Sequence, residues 1–125
     1  MHRSRLAGFI IDCQTADLDG ATRFWSAALG LQASAAAADP LYRTLDTAAD
    51  DVHIEVQQVA HPSRVHLDIE SDDIEAEVRR LEKLGARRIG TVKSWCVMQA
   101  PTGQVFCVVR PQRADFAARA NAWHD

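Results

Sequence analysis

Two stretches of this chain repeat one another, and the repeat limits the folds open to it. An apolar run, Leu6–Cys13, leads to Asp17, a helix-capping residue type. Leu18, Ala21, Trp25 and Ala28 then recur at helical spacing until Gly30 closes the pattern. Further on, Val65–Ile69 leads to Asp72, and Ile74, Val78, Leu81 and Leu84 carry the same period to Gly85. Asp17 to Gly30 and Asp72 to Gly85 span equal distances. A strand, a capped helix and a closing glycine, written twice, predict two copies of one supersecondary unit.

Three short strand candidates follow each helix. They are Leu31–Ser34, Tyr42–Asp46 and Val52–Val59 in the first copy, and Arg88–Val92, Trp95–Gln99 and Gln104–Arg110 in the second. Turn chemistry separates them: Asp39-Pro40, Asp50-Asp51, His61-Pro62-Ser63 and Pro101-Thr102-Gly103. The Ala35–Ala38 stretch reads as loop. The expected fold is therefore α+β, with two βαβββ modules forming paired mixed sheets around a cleft. Module one covers about 6–60, module two about 64–110, and 111–125 is a tail in which Ala114–Trp123 is expected to be helical. All of this fits one domain spanning 1–125.

Strand alternation then sorts side chains by face. In the 64–69 strand, Val65, Leu67 and Ile69 point one way, expected to be under the second helix, and His66 and Asp68 the other. In 52–59, Ile54, Val56 and Gln58 oppose His53, Glu55 and Gln57. Polar residues thus collect on the sheet face away from the helix, a candidate pocket wall. Trp95, in phase with Val97 and Gln99, is a candidate flat platform beside it. On the second helix the acids Asp72, Asp73 and Glu75 precede the bases Arg79, Arg80 and Lys83, with Glu75 and Arg79 at the favourable four-residue spacing. These charges read as a solvated helix face.

The phrases themselves resemble the vicinal oxygen chelate superfamily, which takes in glyoxalase-like, bleomycin-resistance and ring-cleaving dioxygenase proteins. Asp17 through Phe24-Trp25 to Leu29-Gly30 is similar to its first helix. Val65-His66-Leu67-Asp68-Ile69 with Asp72-Asp73 and Leu84-Gly85 is similar to the start of its second module, in the glyoxalase-like subgroup. Pro101-Thr102-Gly103 through Cys107 is similar to its last turn and strand, with Ala100 where an acid is usual. The resemblance implies one divalent metal held from four strands, at Gly8, Glu55, His66 and Cys107. Glu55 and His66 are acceptable ligands. Gly8 has no side chain, and Cys107 replaces a carboxylate, a change that favours zinc over hard ions. His53 is a further candidate donor. The expectation is a protein without a resident cofactor, in which His53, Glu55, Gln57, His66, Asp68, Trp95 and Cys107 contact a small organic ligand. If a divalent metal binds, Glu55 and His66 hold it. The alternative is a metal-dependent lyase, isomerase or dioxygenase. The resemblance also implies a homodimer.

Charge excludes one class of partner. With a formal net charge of −3 and no basic cluster, the chain offers no field for nucleic acid. Its apolar runs are too short to span a bilayer. The basic start and Leu6–Ile11 superficially suggest a signal peptide, but Asp12 interrupts the run and no small-residue cleavage site follows. Cys13, Cys96 and Cys107 lie in apolar, strand-like stretches without metal-type spacing, as reduced thiols of a cytoplasmic protein would.

Overall fold

The computed structural model describes residues 1–34 and 39–124, so the expected loop at 35–38 lies outside the described residues. The chain packs as two compact units, Phe9–Val65 and Met1–Gly8 together with the chain from His66 onward. Strand β1, His2–Gln14, contributes its second half to the former and its first half to the latter. The unit divisions fall inside strands, at Gly8/Phe9 and Val65/His66.

In the Phe9–Val65 unit, α1 (Leu18–Leu29) is followed by β2 (Tyr42–Leu45) and β3 (His53–Val59). The two strands are antiparallel, with Thr44 opposite Glu55 and Leu45 opposite Ile54, and β3 also neighbours β1. Asp17 caps α1 by accepting the Gly20 amide at 2.9 Å, and Gly30 ends the helix at a φ of 68°. Leu18, Leu45 and Val56 form a buried core, with Cys13, Ala21, Trp25 and Ile54 packed around it. The helical spacing and the β3 alternation therefore do what the sequence implied. The expected strand 31–34 is reduced to one bridge, Ala33 to Leu45. It is a Leu-Gln-Ala-Ser segment without β-branched residues, joined to β2 and the residue after it by Ser34 N–H to Thr44 O, Asp46 N–H to Gln32 O and Ser34 Oγ to the Asp46 carboxylate.

The other unit holds β4 (Arg64–Ser71), α2 (Ile74–Lys83), β5 (Arg87–Val92), β6 (Trp95–Gln99) and β7 (Val105–Val109). The strands run in the order β1, β4, β7, β6, β5, with β4 and β7 parallel. Val78 and Leu81 of α2 pack on Cys96, Met98, Phe106 and Val108, and Ile69 joins them. Val65 and Leu67 do not: they are 60% and 44% exposed. The ten-residue helix spends its apolar stripe on β6, β7 and the far end of β4, so only Ile69 of the expected three lies under it.

The cap of α2 is Asp73, which accepts the Ala76 amide at 3.0 Å. Asp72, the expected cap, instead accepts the Arg3 amide at 2.8 Å and ties β1 to the end of β4. Glu75 bonds Arg88 of β5 at 2.7 and 3.1 Å, so the charges of α2 are not merely a solvated face. The tail departs from a single helix. A short α3, Phe116–Arg119, is followed by β8, Asn121–Trp123, which pairs antiparallel with residues 2–4 of β1. That pairing is why β1 begins at His2 rather than Leu6.

Candidate functional site

Each unit brings part of the predicted set together. On β3, His53 and Glu55 are two residues apart and so share a face; His53 Nε2 lies 2.9 Å from Glu55 Oε1. Gln57 continues that face, opposite Tyr42, and the His53 and Glu55 side chains are both mostly buried. Arg64 and Asp12 form a second, looser contact in this unit at 3.4 Å.

In the other unit the strand register does more. Asp68 on β4 lies directly opposite Cys107 on β7, and Cys107 lies opposite Val97 on β6. Side chains opposite one another in a sheet share a face, and His66 joins them two residues before Asp68. One ligating atom from each of His66, Asp68 and Cys107 lies within 4.8 Å of the others. His66 Nε2 is 3.4 Å from Asp68 Oδ1, yet that oxygen is buried and accepts no hydrogen bond. Trp95 and Val97 carry the face onward along β6, with Lys93 Nζ 5.9 Å from the Trp95 ring. Cys96 points the opposite way, into the core beneath α2, where burial pushes its thiol pKa up. Cys96 and Cys107 are thus on adjacent strands but in opposite chemical settings.

The face ends in residues that the sequence reading missed. Glu70, fully buried, accepts hydrogen bonds from Arg5 Nε at 2.7 Å and from the Gln112 and Arg113 amides at 2.6 and 2.9 Å. Arg5 also bonds Asp115; burial opposes the charge of Arg5, but Asp115 and Glu70 raise its pKa, and the Arg5 guanidinium in turn lowers that of Asp115. The signal was the continued alternation His66, Asp68, Glu70. The partners, from both ends of the chain, carried none.

A second carboxylate, Glu77, is buried on the α2 side. It accepts from Ser4 Oγ and bonds His2 Nε2, each at 2.8 Å, and takes two bonds from Arg80, also at 2.8 Å. Burial works to raise its pKa, but hydrogen bonds from Arg80, His2 and Ser4 hold it below the ordinary value. Arg80 in turn stacks 3.9 Å over Trp123, whose indole N–H donates to Ser4 Oγ at 2.7 Å. The strand β8 is therefore anchored through the same cluster.

A shallow cavity in the Phe9–Val65 unit is lined by Gln14, Thr15, Leu41, Gln58 and Val59. It contains none of the predicted site residues. No helix among the described residues is long and apolar enough to cross a membrane.

A family model described as a glyoxalase-like domain matches residues 8–109. Among solved structures, the chain is similar to hypothetical protein BH1468 from Bacillus halodurans C-125, at 12% identity and a TM-score of 0.63, over 88% of this chain and 96% of that one. It is similar to methylmalonyl-CoA epimerase from Mycobacterium tuberculosis, at 18% identity and a TM-score of 0.62, over 91% of each chain. A glyoxalase/bleomycin resistance protein/dioxygenase superfamily member from Vibrio splendidus 12B01 shares 16% identity at a TM-score of 0.55, over 86% of this chain and 99% of that one. Identities this low speak for the fold alone. No curated protein matches the sequence.

Proposed function

We propose, from the premise that the chain belongs to the glyoxalase-like domain family of the vicinal oxygen chelate superfamily, that it binds a small organic molecule against the face of β4, β7 and β6 opposite α2. The observation that carries this reading is the juxtaposition on that face of a polar trio, His66, Asp68 and Cys107, with the apolar wall of Trp95 and Val97. Few convergent polar groups beside aromatic surface are what orient and hold a small ligand. His53, Glu55 and Gln57, on their own face of β3, are likewise assigned to contact with a small organic molecule. In this reading one domain built of two modules binds one class of ligand, as a homodimer in the cytoplasm. The unpaired Cys13, Cys96 and Cys107 support the reducing compartment.

The class of ligand is narrowed by the trio: a molecule with an oxygen substituent to engage His66 and a flat or branched apolar body to lie on Trp95. The test is a thermal-shift panel of small oxo-acids, acyl thioesters and planar aromatic compounds. A true ligand at about 100 times its Kd stabilises the parent by about 2.7 kcal/mol. That gain is expected to vanish in Trp95→Ala and His66→Ala and to persist in His61→Ala. A panel that stabilises nothing, or a gain insensitive to both variants, sinks the reading. Light scattering at high micromolar concentration tests the dimer, which a monomer would refute.

A second reading, a metal-dependent lyase, isomerase or dioxygenase, is favoured by the nearness of the same three donors. Glyoxalase-type isomerisation by the purified protein would promote it over the binding reading.

A further inference from the structure

We propose that Arg87, held by Gln99, is an anion anchor at the rim of the ligand face, so that the molecule bound there is a carboxylic acid. This deepens the small-molecule reading above and rests on it. Arg87 opens β5, the edge strand, and its register partner is Gln99 of β6. Gln99 stands two residues from Val97 and four from Trp95, so all three share the face opposite α2. The next residue, Arg88, lies opposite Met98, which is in the core beneath α2. Two consecutive arginines therefore point to opposite sides of the sheet.

Different chemistry holds each of them. Arg88 bonds the Glu75 carboxylate at 2.7 and 3.1 Å, so its charge is cancelled where it stands. Arg87 donates from Nε and Nη2 to Gln99 Oε1 at 3.0 and 2.5 Å, and no carboxylate among the described residues pairs with it. Gln99 is itself oriented, because its Nε2 donates to Gly103 O at 3.1 Å and leaves Oε1 to face Arg87. An amide fixes the direction of a guanidinium without neutralising it. Of the five N–H donors of the fork, two go to Gln99 and three remain for an outside acceptor. That is a pre-oriented, uncompensated cation with the geometry that a carboxylate accepts.

The neighbouring rung leaves room for the rest of the molecule. A bulge between Arg88 and Gly90 sets Gly90, rather than Ile89, opposite Val97. A Cβ on Gly90 would meet nothing within 4 Å beyond its chain neighbours, so the surface beside Val97 is bare. Gln99 and Trp95 are about 13 Å apart along β6 at the ordinary rise of a strand. The bound acid accordingly carries its carboxylate and its apolar body at opposite ends. The carboxylate meets Arg87, the body lies on Trp95, and the atoms between them cross Val97. Lys93, whose Nζ lies 5.9 Å from the Trp95 ring, is a cation at the apolar end and so the competing anchor.

The test is calorimetric titration of the full chain with phenylpyruvate, benzoylpropionate and benzoylpentanoate, each beside its methyl ester. At low salt the best acid is expected to bind the parent about 10-fold more tightly than its ester, the worth of one charge-assisted contact. That advantage is expected to shrink as salt is raised. Arg87→Gln is expected to bring the acid down to the level of its ester. Gln99→Glu keeps an acceptor beside Arg87 but cancels its charge, and is expected to do the same; a merely structural Gln99 predicts no such loss. Arg88→Gln and Lys93→Gln are expected to keep the preference. Acid and ester bound alike, a preference that survives Arg87→Gln or Gln99→Glu, or one lost in Lys93→Gln instead overturns the inference. The parent comparison decides even where a variant folds poorly. The acid assignment and the small-molecule reading fail separately. Ester binding without acid preference, removed by Trp95→Ala, leaves the small-molecule reading standing. A parent that binds none of these compounds overturns the acid assignment, and the wider thermal-shift panel then judges the small-molecule reading by itself.

Discussion

On β3 the chain writes His53-Ile54-Glu55, and on β4 it writes His66-Leu67-Asp68. Each phrase puts an imidazole and a carboxylate on one strand face, two residues apart. On β3 the two side chains bond each other along their own strand. On β4 the pair meets a third group, because β7 runs parallel beside it and places Cys107 opposite Asp68. The next carboxylate on that face, Glu70, is locked by residues from both ends of the chain. The same local phrase thus yields a hydrogen-bonded pair along one strand in one setting and part of a cross-strand cluster in the other. What separates them is the neighbouring strand.

Glu70→Ala leaves Arg5 buried with only Asp115 as a counter-charge, so a loss of about 3–5 kcal/mol is expected. Glu55→Ala removes one member of a mostly buried pair that keeps some contact with water, and is expected to cost about 1–3 kcal/mol. Urea denaturation of both variants checks the contrast, and equal losses would erase it.

The folded-state pKa of Glu77 is lowered, so its contribution is complete above the unfolded value of about 4.3 and is lost as pH falls through the folded value. The parent is therefore expected to lose stability on acidification below about pH 4. Glu77→Gln is expected to cost roughly 2 kcal/mol near neutrality, the worth of a charge-assisted hydrogen bond, and to show a shallower acid slope. An unchanged slope, followed by urea midpoints, would show that Glu77 is not held by Arg80, His2 and Ser4 as described.

The smallest effect separates the two helix caps. A Cβ on Gly20 would lie 2.3 Å from Asp17 Oδ2, whereas α2 carries Ala76 at the equivalent place under Asp73. Ala76→Gly is expected to cost about 0.5–1 kcal/mol of helix propensity. Gly20→Ala gains a similar amount in propensity but displaces a cap worth about 1 kcal/mol, so no net gain is expected. A full gain in thermal midpoint at Gly20 would show that Asp17 can cap from another rotamer.

The two caps also show where local reading stops. Asp72 and Asp73 are both competent caps by residue type, and the equal spacing from Asp17 to Gly30 favoured Asp72. The choice went to Asp73 because the Arg3 amide, from the other end of the chain, claims the Asp72 carboxylate. Val65 and Leu67 follow the alternation faithfully, but helix length and position decide which apolar residues are covered, and α2 reaches only Ile69. The tail Ala114–Trp123 carries helical propensity throughout. Its last three residues are nonetheless a strand, because β1 offers an edge and Trp123 a stacking partner in Arg80.

The amino-acid sequence by itself determined the modules, both helices, most strands and the faces on which His53, Glu55, His66 and Asp68 lie. Those properties depend on periods of 2 and 3.6 residues and on turn chemistry, all of which act between neighbours in the chain. Tertiary structure alone decided that Asp68 meets Cys107, that Glu70 meets Arg5 and the 112–113 amides, and that Glu77 is sealed by His2, Ser4 and Arg80. Apart from Arg80, which is three residues from Glu77, the partners in these contacts are separated by 39 to 75 positions along the chain. No periodicity reports such pairings, since they depend on which strand lies beside which and in what register. The candidate site belongs to that second category: its residue types were visible in the chain, and their convergence follows from the parallel pairing of β4 with β7.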